Sequence, residues 1–339
     1  MKFGLSLGYW GSAKPADHAQ LVALAEELAF DSVWTAEAYG SDALTPLAWL
    51  GASTSTVKLG TSIIQMSART PVATAMAAMT MDHLSEGRFI LGLGVSGPQV
   101  VEGWYGQPFP KPLARTREYI TILRQAFARE RVAFSGEFYQ LPYEGGTGLG
   151  KSLRSTLHPQ RPDIPIMLAA EGPKNVALAA ELADGWLPLF YSPYNDQHYR
   201  DALAKGFARE GAHSTPDSFE IAAPVSVIVA DDVETAADRL RPSLALYIGG
   251  MGAPGANFHY DAFVRMGFAA ECEKIQELYL TGRKDEAAAA VPTSMAEQVA
   301  LIGPKDKILS EFGAWDESLL TTMLVTPNEA TMRLVAELG

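Results

Sequence analysis

The chain has 339 residues and a mass of 36.5 kDa, and its 47% hydrophobic and 19% charged content is that of a globular protein. Its 27 Lys and Arg residues against 39 Asp and Glu residues leave a formal net charge of −12, which argues against a binding surface for nucleic acid or anionic membranes. A single cysteine excludes a disulfide framework, and the absence of a signal-peptide pattern or of an apolar run of roughly 18 residues predicts a soluble, cytoplasmic protein.

Short apolar runs alternate with amphipathic helices along most of the chain. Each run ends at a polar or glycine-containing junction, and several helices carry a proline in their first turn, as at Pro15, Pro46 and Pro71. The pattern predicts eight strands, over residues 3–7, 32–35, 58–64, 88–93, 164–169, 185–189, 219–229 and 319–325. It predicts a helix after each strand, over residues 15–30, 45–54, 71–84, 113–129, 174–182, 196–210, 233–247 and 329–338.

Eight successive strand–helix units predict parallel strands joined by right-handed crossovers. That number favours an α/β fold of the (β/α)8 TIM-barrel type over an open, doubly wound sheet, which remains the alternative. We expect one domain over residues 1–339 with two insertions, at about 132–162 and 249–308.

The two insertions differ in character. The first holds a predicted hairpin over residues 132–141 and a long loop rich in Gly and Pro. The second begins with a glycine-rich candidate lid over 248–260, followed by predicted helices at 262–280 and 284–290. A mobile connector without a role in binding is an equal alternative for the lid.

The junction after the fifth predicted strand, MLAAEGPKN over residues 167–175, brings a glycine, a proline and a lysine to the start of a helix. Free backbone N–H groups there, helped by the helix dipole and by Lys174, suit an anion such as a phosphate. A plain Gly-Pro helix start without a ligand is the alternative, and the spacing alone leaves both open.

A second glycine-rich junction, GLGVSGP over residues 92–98, spaces its glycines like a dinucleotide-binding fingerprint. We reject that interpretation for two reasons. The fingerprint needs a following strand that ends in an acidic residue, and none is predicted. It also needs a helix directly after the glycines, which the prolines exclude: Pro98, Pro108, Pro110 and Pro112.

Ionisable residues are sparse at the predicted barrel mouth. Glu37, just after the second strand, is the candidate catalytic acid or base. The chain has no HExxH motif, no Cys/His cluster and no dense set of carboxylates, so we expect no catalytic metal, and the absence of GxSxG argues against a serine hydrolase. Because the chain offers few reactive side chains, an organic cofactor is the favoured source of the reactivity.

Four stretches resemble the luciferase-like monooxygenase superfamily, and in particular its coenzyme F420-dependent oxidoreductases. They occur in the order and spacing of that superfamily and span most of the chain. The resemblance implies a luciferase-like barrel that binds coenzyme F420, with FMN as the alternative cofactor, and it implies a homodimer. The stretches are FDSVWTAEAYGSD (30–42), VKLGTSIIQMSARTP (57–71), LSEGRFILGLGVSGPQ (84–99) and IPIMLAAEGPKNVALAAELADGWLP (164–188).

The resemblance also implies roles for residues at matching positions. The peptide between Ser62 and Ile63 is expected to be a non-proline cis peptide that backs the central ring of the cofactor, and Glu37 is expected near the polar edge of that ring. The other implied cofactor-binding residues are Val95, Ser96 and Gly97 along the cofactor, and Ala170, Glu171, Gly172, Pro173, Lys174 and Asn175 around its phosphate.

The chain departs from this family at three positions. Deazaflavin-dependent sugar-phosphate and alcohol dehydrogenases place a histidine where this chain has Ala38, a tryptophan where it has Asp42, and a glutamate approximately where it has Lys14. The acid/base set for oxidising an alcohol or a sugar phosphate is therefore missing. We expect hydride transfer between the cofactor and another small organic substrate, with water or Glu37 handling the proton.

The substrate pocket is expected to be shaped by aromatic residues of the junctions and the lid. Core packing is the alternative role for each of them. Two other functions remain open: a reduced-FMN monooxygenase, and a member that binds a cofactor without catalysis, which the departures at Ala38 and Asp42 motivate. The predicted pocket residues are Tyr9, Trp10, Tyr39, Trp104 and His259, the last beside Phe258.

Overall fold

Parallel strands form the centre of the molecule, for which a computed structural model describes residues 1–338. Eight of the strands are those of a barrel and the others are additions to it. The strands within this range are β1 (Lys2–Gly8), β2 (Ser32–Thr35), β3 (Lys58–Thr61), β4 (Ile64–Gln65), β5 (Phe89–Gly94), β6 (Phe134–Ser135), β7 (Gln140–Leu141), β8 (Ile166–Ala169), β9 (Gly185–Leu187), β10 (Glu220–Val229), β11 (Ala300–Gly303) and β12 (Thr322–Val325).

Helices surround the strands on the outside. None of those within residues 1–338 is both long enough and apolar enough to cross a membrane. They are α1 (His18–Glu27), α2 (Leu44–Gly51), α3 (Pro71–Leu84), α4 (Pro98–Gly103), α5 (Pro112–Phe127), α6 (Pro173–Leu182), α7 (Gln197–Phe207), α8 (Val233–Gly249), α9 (Phe258–Arg265), α10 (Ala269–Leu280), α11 (Lys284–Ala289), α12 (Thr293–Val299), α13 (Lys305–Asp316) and α14 (Glu329–Ala336), with a short 3-10 helix at Met66–Ala68.

The sheet closes on itself. Its strands follow the order β1, β2, β3, β5, β8, β9, β10 and β12, and all of these pairings are parallel. Closure is visible at Val325 of β12, which lies opposite Leu5 of β1 on one side and Val225 of β10 on the other. The predicted TIM barrel is confirmed, and the open doubly wound sheet is excluded because neither β1 nor β12 has a free edge.

The strand sequences explain why the sheet is a barrel covered by helices. All residues of β2, β5 and β12 are buried, which is expected when parallel strands are covered on both faces and read as continuous apolar runs. Inside the barrel, Trp34 takes space that a side chain at Gly60 would need, since a Cβ atom there would lie 2.3 Å from Trp34 Cε3. The inner core is completed by Ile90, Met167, Leu187, Ala222 and Leu324.

One expectation about the glycine-rich junction is wrong. Helix α4 begins at Pro98, directly after the junction, although the prolines predicted that no helix follows there. Proline fits the first position of a helix because that position needs no N–H donor. The dinucleotide interpretation stays rejected, since the next strands, β6 and β7, form the predicted antiparallel hairpin.

The second insertion contains more regular structure than the sequence predicted. The predicted helix at 262–280 is divided into α9 and α10 around Gly267, whose φ is +99°. Strand β11 and helix α13 were not predicted, and β11 extends the sheet beside the second half of β10, with Val229 opposite Gly303. Helices α9 to α12 pack with α8 around a second core that includes Phe263, Ile275 and Met295.

Candidate functional site

The carboxyl ends of the barrel strands meet at one mouth, where TIM-barrel enzymes carry their active sites. The predicted site residues follow β1, β2, β3, β5 and β8, apart from Trp104 at the end of α4 and His259 in α9. The fold therefore directs most of them to the same rim. They form a carboxylate centre at Glu37, the peptide between Ser62 and Ile63, the segment 95–97, an anion loop over residues 170–175, and a group of aromatic residues.

Glu37 is the carboxylate centre, and it is only 7% exposed. Its Oε1 accepts hydrogen bonds from Arg69 Nη1 at 2.7 Å and from the backbone N of Gln65 at 2.8 Å. Its Oε2 accepts one from the backbone N of Ala43 at 3.2 Å. Both carboxylate oxygens thus bind protein donors, and the side chain ties the segment after β2 to the segment after β4. A role as acid or base stays a prediction.

The peptide between Ser62 and Ile63 is cis, as the resemblance implied. It lies between β3 and β4 and touches the same segment as Glu37, because the backbone N of Glu37 donates to the Ile63 carbonyl at 3.2 Å. The end of β5 also approaches closely, since a Cβ atom at Gly94 would lie 2.7 Å from Ile63 Cδ1. Ser62 and Ile63 are partly exposed at the mouth.

Sequence reasoning missed two polar residues of this region, Gln65 and Arg69. Gln65 Nε2 donates to the Ala38 carbonyl at 2.6 Å, while Arg69 neutralises Glu37 and lies 3.9 Å from Asp42. Asp42 itself accepts the backbone N–H groups of Leu44 and Thr45 at 2.9 Å and so caps α2. The available signal was their place after the predicted strand 58–64: Gln65 is the next residue, and Arg69 follows four residues later.

Val95, Ser96 and Gly97 connect β5 to α4 and are partly exposed. Ser96 has a φ of +60°, a left-handed conformation that few non-glycine residues adopt. Val95 packs against the main core and lines a small cavity together with Met66. The segment thus lies at the mouth as predicted, and its contact with a cofactor stays a prediction.

The anion loop comprises residues 170–175, which run from the end of β8 into the first turn of α6. Gly172 is the N-cap of α6, and its carbonyl accepts the N–H groups of Asn175 and Val176 at 2.9 Å. The backbone N–H groups of Glu171, Gly172 and Lys174 donate to no acceptor within residues 1–338. A Cβ atom at Gly172 would meet nothing within 4 Å, so there is open space beside this residue. Free donors, the dipole of a ten-residue helix and Lys174 fit an anion.

The aromatic group includes a residue that the sequence did not single out, Tyr247 of α8. Burial raises its pKa, and the neighbouring phenols of Tyr9 and Tyr39 raise it further. Burial and Tyr39 likewise raise the pKa of Tyr9. The predicted residues Tyr9 and Tyr39 therefore lie close enough to Tyr247 to influence its ionisation.

His259, in α9 of the second insertion, packs against the ring of Tyr247. Its ring is perpendicular to the rings of Tyr247 and Phe190, at centroid distances of 5.0 and 5.8 Å. Burial lowers the pKa of His259 to about 4, so the imidazole is neutral at pH 7. Trp10 is partly buried, with its backbone N donating to Ser41 Oγ at 2.9 Å. Trp104 is 65% exposed at the end of α4, and Tyr39 is 56% exposed.

A cavity of about 380 Å³ adjoins the Glu37–Arg69 pair. One wall is Arg69 and another is Arg115 of α5, whose Nε donates to Tyr139 Oη at 3.0 Å and whose Nη1 donates to the Pro108 carbonyl at 3.1 Å. No carboxylate within residues 1–338 lies within 4.0 Å of Arg115. The sequence did not predict this cation-lined space, because its walls come from three separate segments, within residues 67–70, 107–115 and 138–139.

Comparison with known proteins places the chain in a family. A family model described as luciferase-like monooxygenase matches residues 1–322. The chain is 57% identical over 333 residues to a putative coenzyme F420-dependent oxidoreductase of Mycobacterium tuberculosis, covering 97% of this chain and 96% of the relative. It is 27% identical over 325 residues to a 5,10-methylenetetrahydromethanopterin reductase of Archaeoglobus fulgidus, covering 96% and 92%.

A solved structure is similar over the same length. The coenzyme F420-dependent tetrahydromethanopterin reductase from Methanopyrus kandleri superimposes with a TM-score of 0.79 over 99% of this chain and 97% of that one, at 24% identity, which supports the fold. The expectation of an enzyme of the luciferase-like class is confirmed by these matches. Because the family model covers nearly the whole chain, this protein belongs to the luciferase-like monooxygenase family.

Proposed function

We propose that the protein is a coenzyme F420-dependent oxidoreductase that transfers a hydride between the deazaflavin and a small organic substrate. The observation that carries the proposal is the 57% identity, over nearly all of both chains, to a putative oxidoreductase named for that cofactor. The free N–H groups of Glu171, Gly172 and Lys174 support it, because a cofactor with an anionic tail needs such donors.

The protein's own residues would bind the cofactor and orient it. When bound, the deazaflavin supplies the hydride-accepting or hydride-donating ring carbon. The anion loop would hold the tail, and Ser62, Ile63 and Val95 would border the ring. Glu37 would accept a hydrogen bond from the polar ring edge, in an orientation kept by Arg69 and by the backbone of Gln65. A carboxylate fixed in advance lowers the cost of ordering the complex.

The substrate would lie beside the phenols of the mouth. Tyrosine hydroxyls are protonated at neutral pH, and burial raises the pKa of Tyr9 and of Tyr247 further, so both can donate a hydrogen bond to a substrate oxygen or nitrogen. Tyr247 is also held by its perpendicular contacts with Phe190 and His259. The insertion would thereby complete the pocket and exclude water from it.

We also propose a homodimer and a single domain. Three large apolar side chains are exposed on the adjacent helices α2 and α3: Trp49 at 73%, Met76 at 59% and Leu84 at 70%. Exposed apolar surface of this kind supports a protein interface. The single domain is supported by β10, which contributes Val227 to the main core and Ile228 to the second core.

Binding measurements test the proposal directly. The purified protein is titrated with F420 and, separately, with FMN, and fluorescence anisotropy gives each dissociation constant. We expect tighter binding of F420. We then expect Gly172→Asp to weaken F420 binding by about tenfold or more, because the added carboxylate repels the phosphate and takes the same N–H donors. Gly172→Ala is the matched control, since φ at this position is −83° and the space is open.

Each alternative to the proposed function predicts a different experimental result. Preferential binding of FMN together with oxygen-dependent turnover would replace the proposal by a reduced-FMN monooxygenase. Tight F420 binding without oxidation of reduced F420 by any of a panel of enones, imines and aldehydes would favour the non-catalytic member. If Gly172→Asp leaves the affinity unchanged while Arg115→Gln lowers it, the anionic tail occupies the cavity beside Arg115 instead.

A further inference from the structure

Arg265 connects the second insertion to the anion loop. It is the last residue of α9, and its Nη2 donates to the backbone carbonyl of Glu171 at 2.9 Å. Its own carbonyl accepts a hydrogen bond from Asn195 Nδ2 at 3.1 Å, in the segment between β9 and α7. The carbonyl of Ala170 is held in a similar way by Trp186 Nε1 at 2.8 Å. With both carbonyls bound on the protein side, the neighbouring N–H groups stay free for a ligand.

The side chain of Glu171 lies on the protein side of the same loop. It is 6% exposed, and its Oε1 accepts the backbone N–H of Leu189 at 2.7 Å. Its Oε2 is buried and has no hydrogen-bond partner. Burial raises the pKa of Glu171 to about 7, against a smaller lowering by the Leu189 N–H group and by Arg265. A carboxyl group in this position is poised between its two protonation states at neutral pH.

The groups that face Glu171 come from α9 and α7. Arg265 is the one cation among them, and its buried Nε has no hydrogen-bond partner. Tyr199 of α7 interacts electrostatically with both Glu171 and Arg265, and its buried hydroxyl is unpartnered. His198 of α7 faces Arg265, and burial together with Arg265 lowers the pKa of this histidine, so it adds no positive charge at neutral pH. Lys174 of α6 is exposed to solvent.

An anion at the free N–H groups would be separated from the Glu171 carboxyl by little more than one residue of backbone. Two negative charges at such a separation repel each other, and burial strengthens the repulsion. Protonation of Glu171 removes one of the two charges, whereas Arg265 cannot lose its own charge at physiological pH. Anion binding and protonation of Glu171 are therefore linked.

We propose that Arg265 and Glu171 form a positioning pair for the anion loop, in which Arg265 orients the loop and Glu171 takes up a proton when the phosphate-bearing tail of the cofactor binds. This inference rests on the proposed binding of F420 at that loop. It assigns to α9 of the insertion a role in cofactor affinity that does not require contact with the cofactor.

The direct readout is the number of protons exchanged on binding. Isothermal titration calorimetry with F420 at pH 7, in two buffers of different ionisation enthalpy, is applied to the wild type and to Glu171→Gln. We expect net uptake to be greater in the wild type by a fraction of one proton. Protons exchanged by the cofactor itself are common to both proteins and cancel in the difference. The dissociation constant of the wild type should rise by about threefold to tenfold between pH 6 and pH 8.5, and that of Glu171→Gln by less.

Arg265 is tested by Arg265→Gln and Arg265→Lys. We expect Arg265→Gln to weaken F420 binding by about tenfold, with partial recovery in Arg265→Lys, which keeps the charge but not the shape of the donor. Binding of the same deazaflavin without its phosphate-bearing tail should change much less. The matched control is Arg283→Gln, which removes an exposed arginine of the same insertion that pairs with Glu286.

Three results would contradict the inference in whole or in part. Equal proton uptake by the wild type and Glu171→Gln, with F420 still bound, overturns the inference and leaves the proposed function intact. Equal losses with and without the tail in Arg265→Gln reduce Arg265 to a structural residue. Absence of F420 binding by the wild type overturns the proposed function and this inference together.

Discussion

Nη1 of Arg69 lies 2.7 Å from Oε1 of Glu37, and this ion pair joins the segment after β2 to the segment before α3. The side chain of Glu37 is 4% exposed and that of Arg69 is 24% exposed. Two loops at the rim of the barrel are thus held together by charge that water screens poorly. The pair also fixes the orientation of the Glu37 carboxylate at the barrel mouth.

Glu37→Gln should destabilise the protein by about 1–3 kcal/mol. The substitution leaves Arg69 partly buried beside a neutral group, and removing one member of a buried pair costs more than the pair itself contributes. Urea unfolding followed by circular dichroism measures the change. Glu137→Gln is the control, because Glu137 pairs with Lys111 on the surface and should contribute less than about 1 kcal/mol. Equal effects of the two substitutions would contradict the assigned role of Glu37.

Gly92→Ala should destabilise the barrel by about 3 kcal/mol or more. A Cβ atom at Gly92 would lie 1.7 Å from the Thr61 carbonyl oxygen, where β5 passes β3. Thr61 Oγ1 also bonds both the carbonyl and the N–H of Gly92 at 2.9 Å, so the strands cannot separate without loss.

Gly97→Ala is the matched control for Gly92. Its Cβ atom would approach only the flexible end of Gln99 at 3.3 Å, and its φ of −115° suits any residue. Soluble yield and urea unfolding should show less than about 1 kcal/mol of loss for this variant. A Gly92→Ala protein as stable as Gly97→Ala would mean that β3 and β5 are further apart than described.

His259 should make the protein sensitive to mild acid. An unfolded histidine takes up a proton near pH 6.5, whereas burial lowers the pKa of His259 to about 4 in the folded protein. The unfolded state therefore binds more protons between these values, and folding stability decreases as the pH falls through this window. The contribution amounts to about 2 kcal/mol at pH 5 compared with pH 7.5.

His259→Phe should reduce this pH dependence of the free energy of unfolding by about the same 2 kcal/mol. Phenylalanine preserves the ring that packs against Phe190 and Tyr247. His158→Gln, at an exposed position, should leave the difference between pH 5 and pH 7.5 unchanged. Unchanged pH dependence in His259→Phe would show that the imidazole is more accessible to water than its 8% exposure indicates.

Trp49→Arg should separate the proposed dimer. The tryptophan is 73% exposed on α2, and a charge placed in the buried part of an interface is unfavourable. Light scattering after gel filtration should give twice the chain mass of 36.5 kDa for the wild type and a single chain mass for the variant. Leu280→Arg, at an exposed residue of α10, should remain dimeric. A monomeric wild type would disprove the dimer.

Much of the architecture was predictable because it depends on local patterns of apolar and polar residues. Each barrel strand is a short apolar run that ends in a polar or glycine junction, and β2 was predicted with its observed bounds. The start of α6 was predictable for the same reason, since a Gly-Pro step is a local signal for a helix start. Local signals failed where two interpretations of one residue compete, as at Pro98, which begins α4 instead of preventing it.

The sequence by itself determined the strand–helix alternation, the family resemblance and the segments that surround the mouth. Only the tertiary structure decided that Arg69 neutralises Glu37 across 32 residues, and that Arg265 reaches Glu171 across 94 residues. It also brought His259 of the insertion against Tyr247 of α8. The physical reason is that a local pattern determines which face of an element is buried, whereas the partner of a buried charge or ring depends on how distant elements pack.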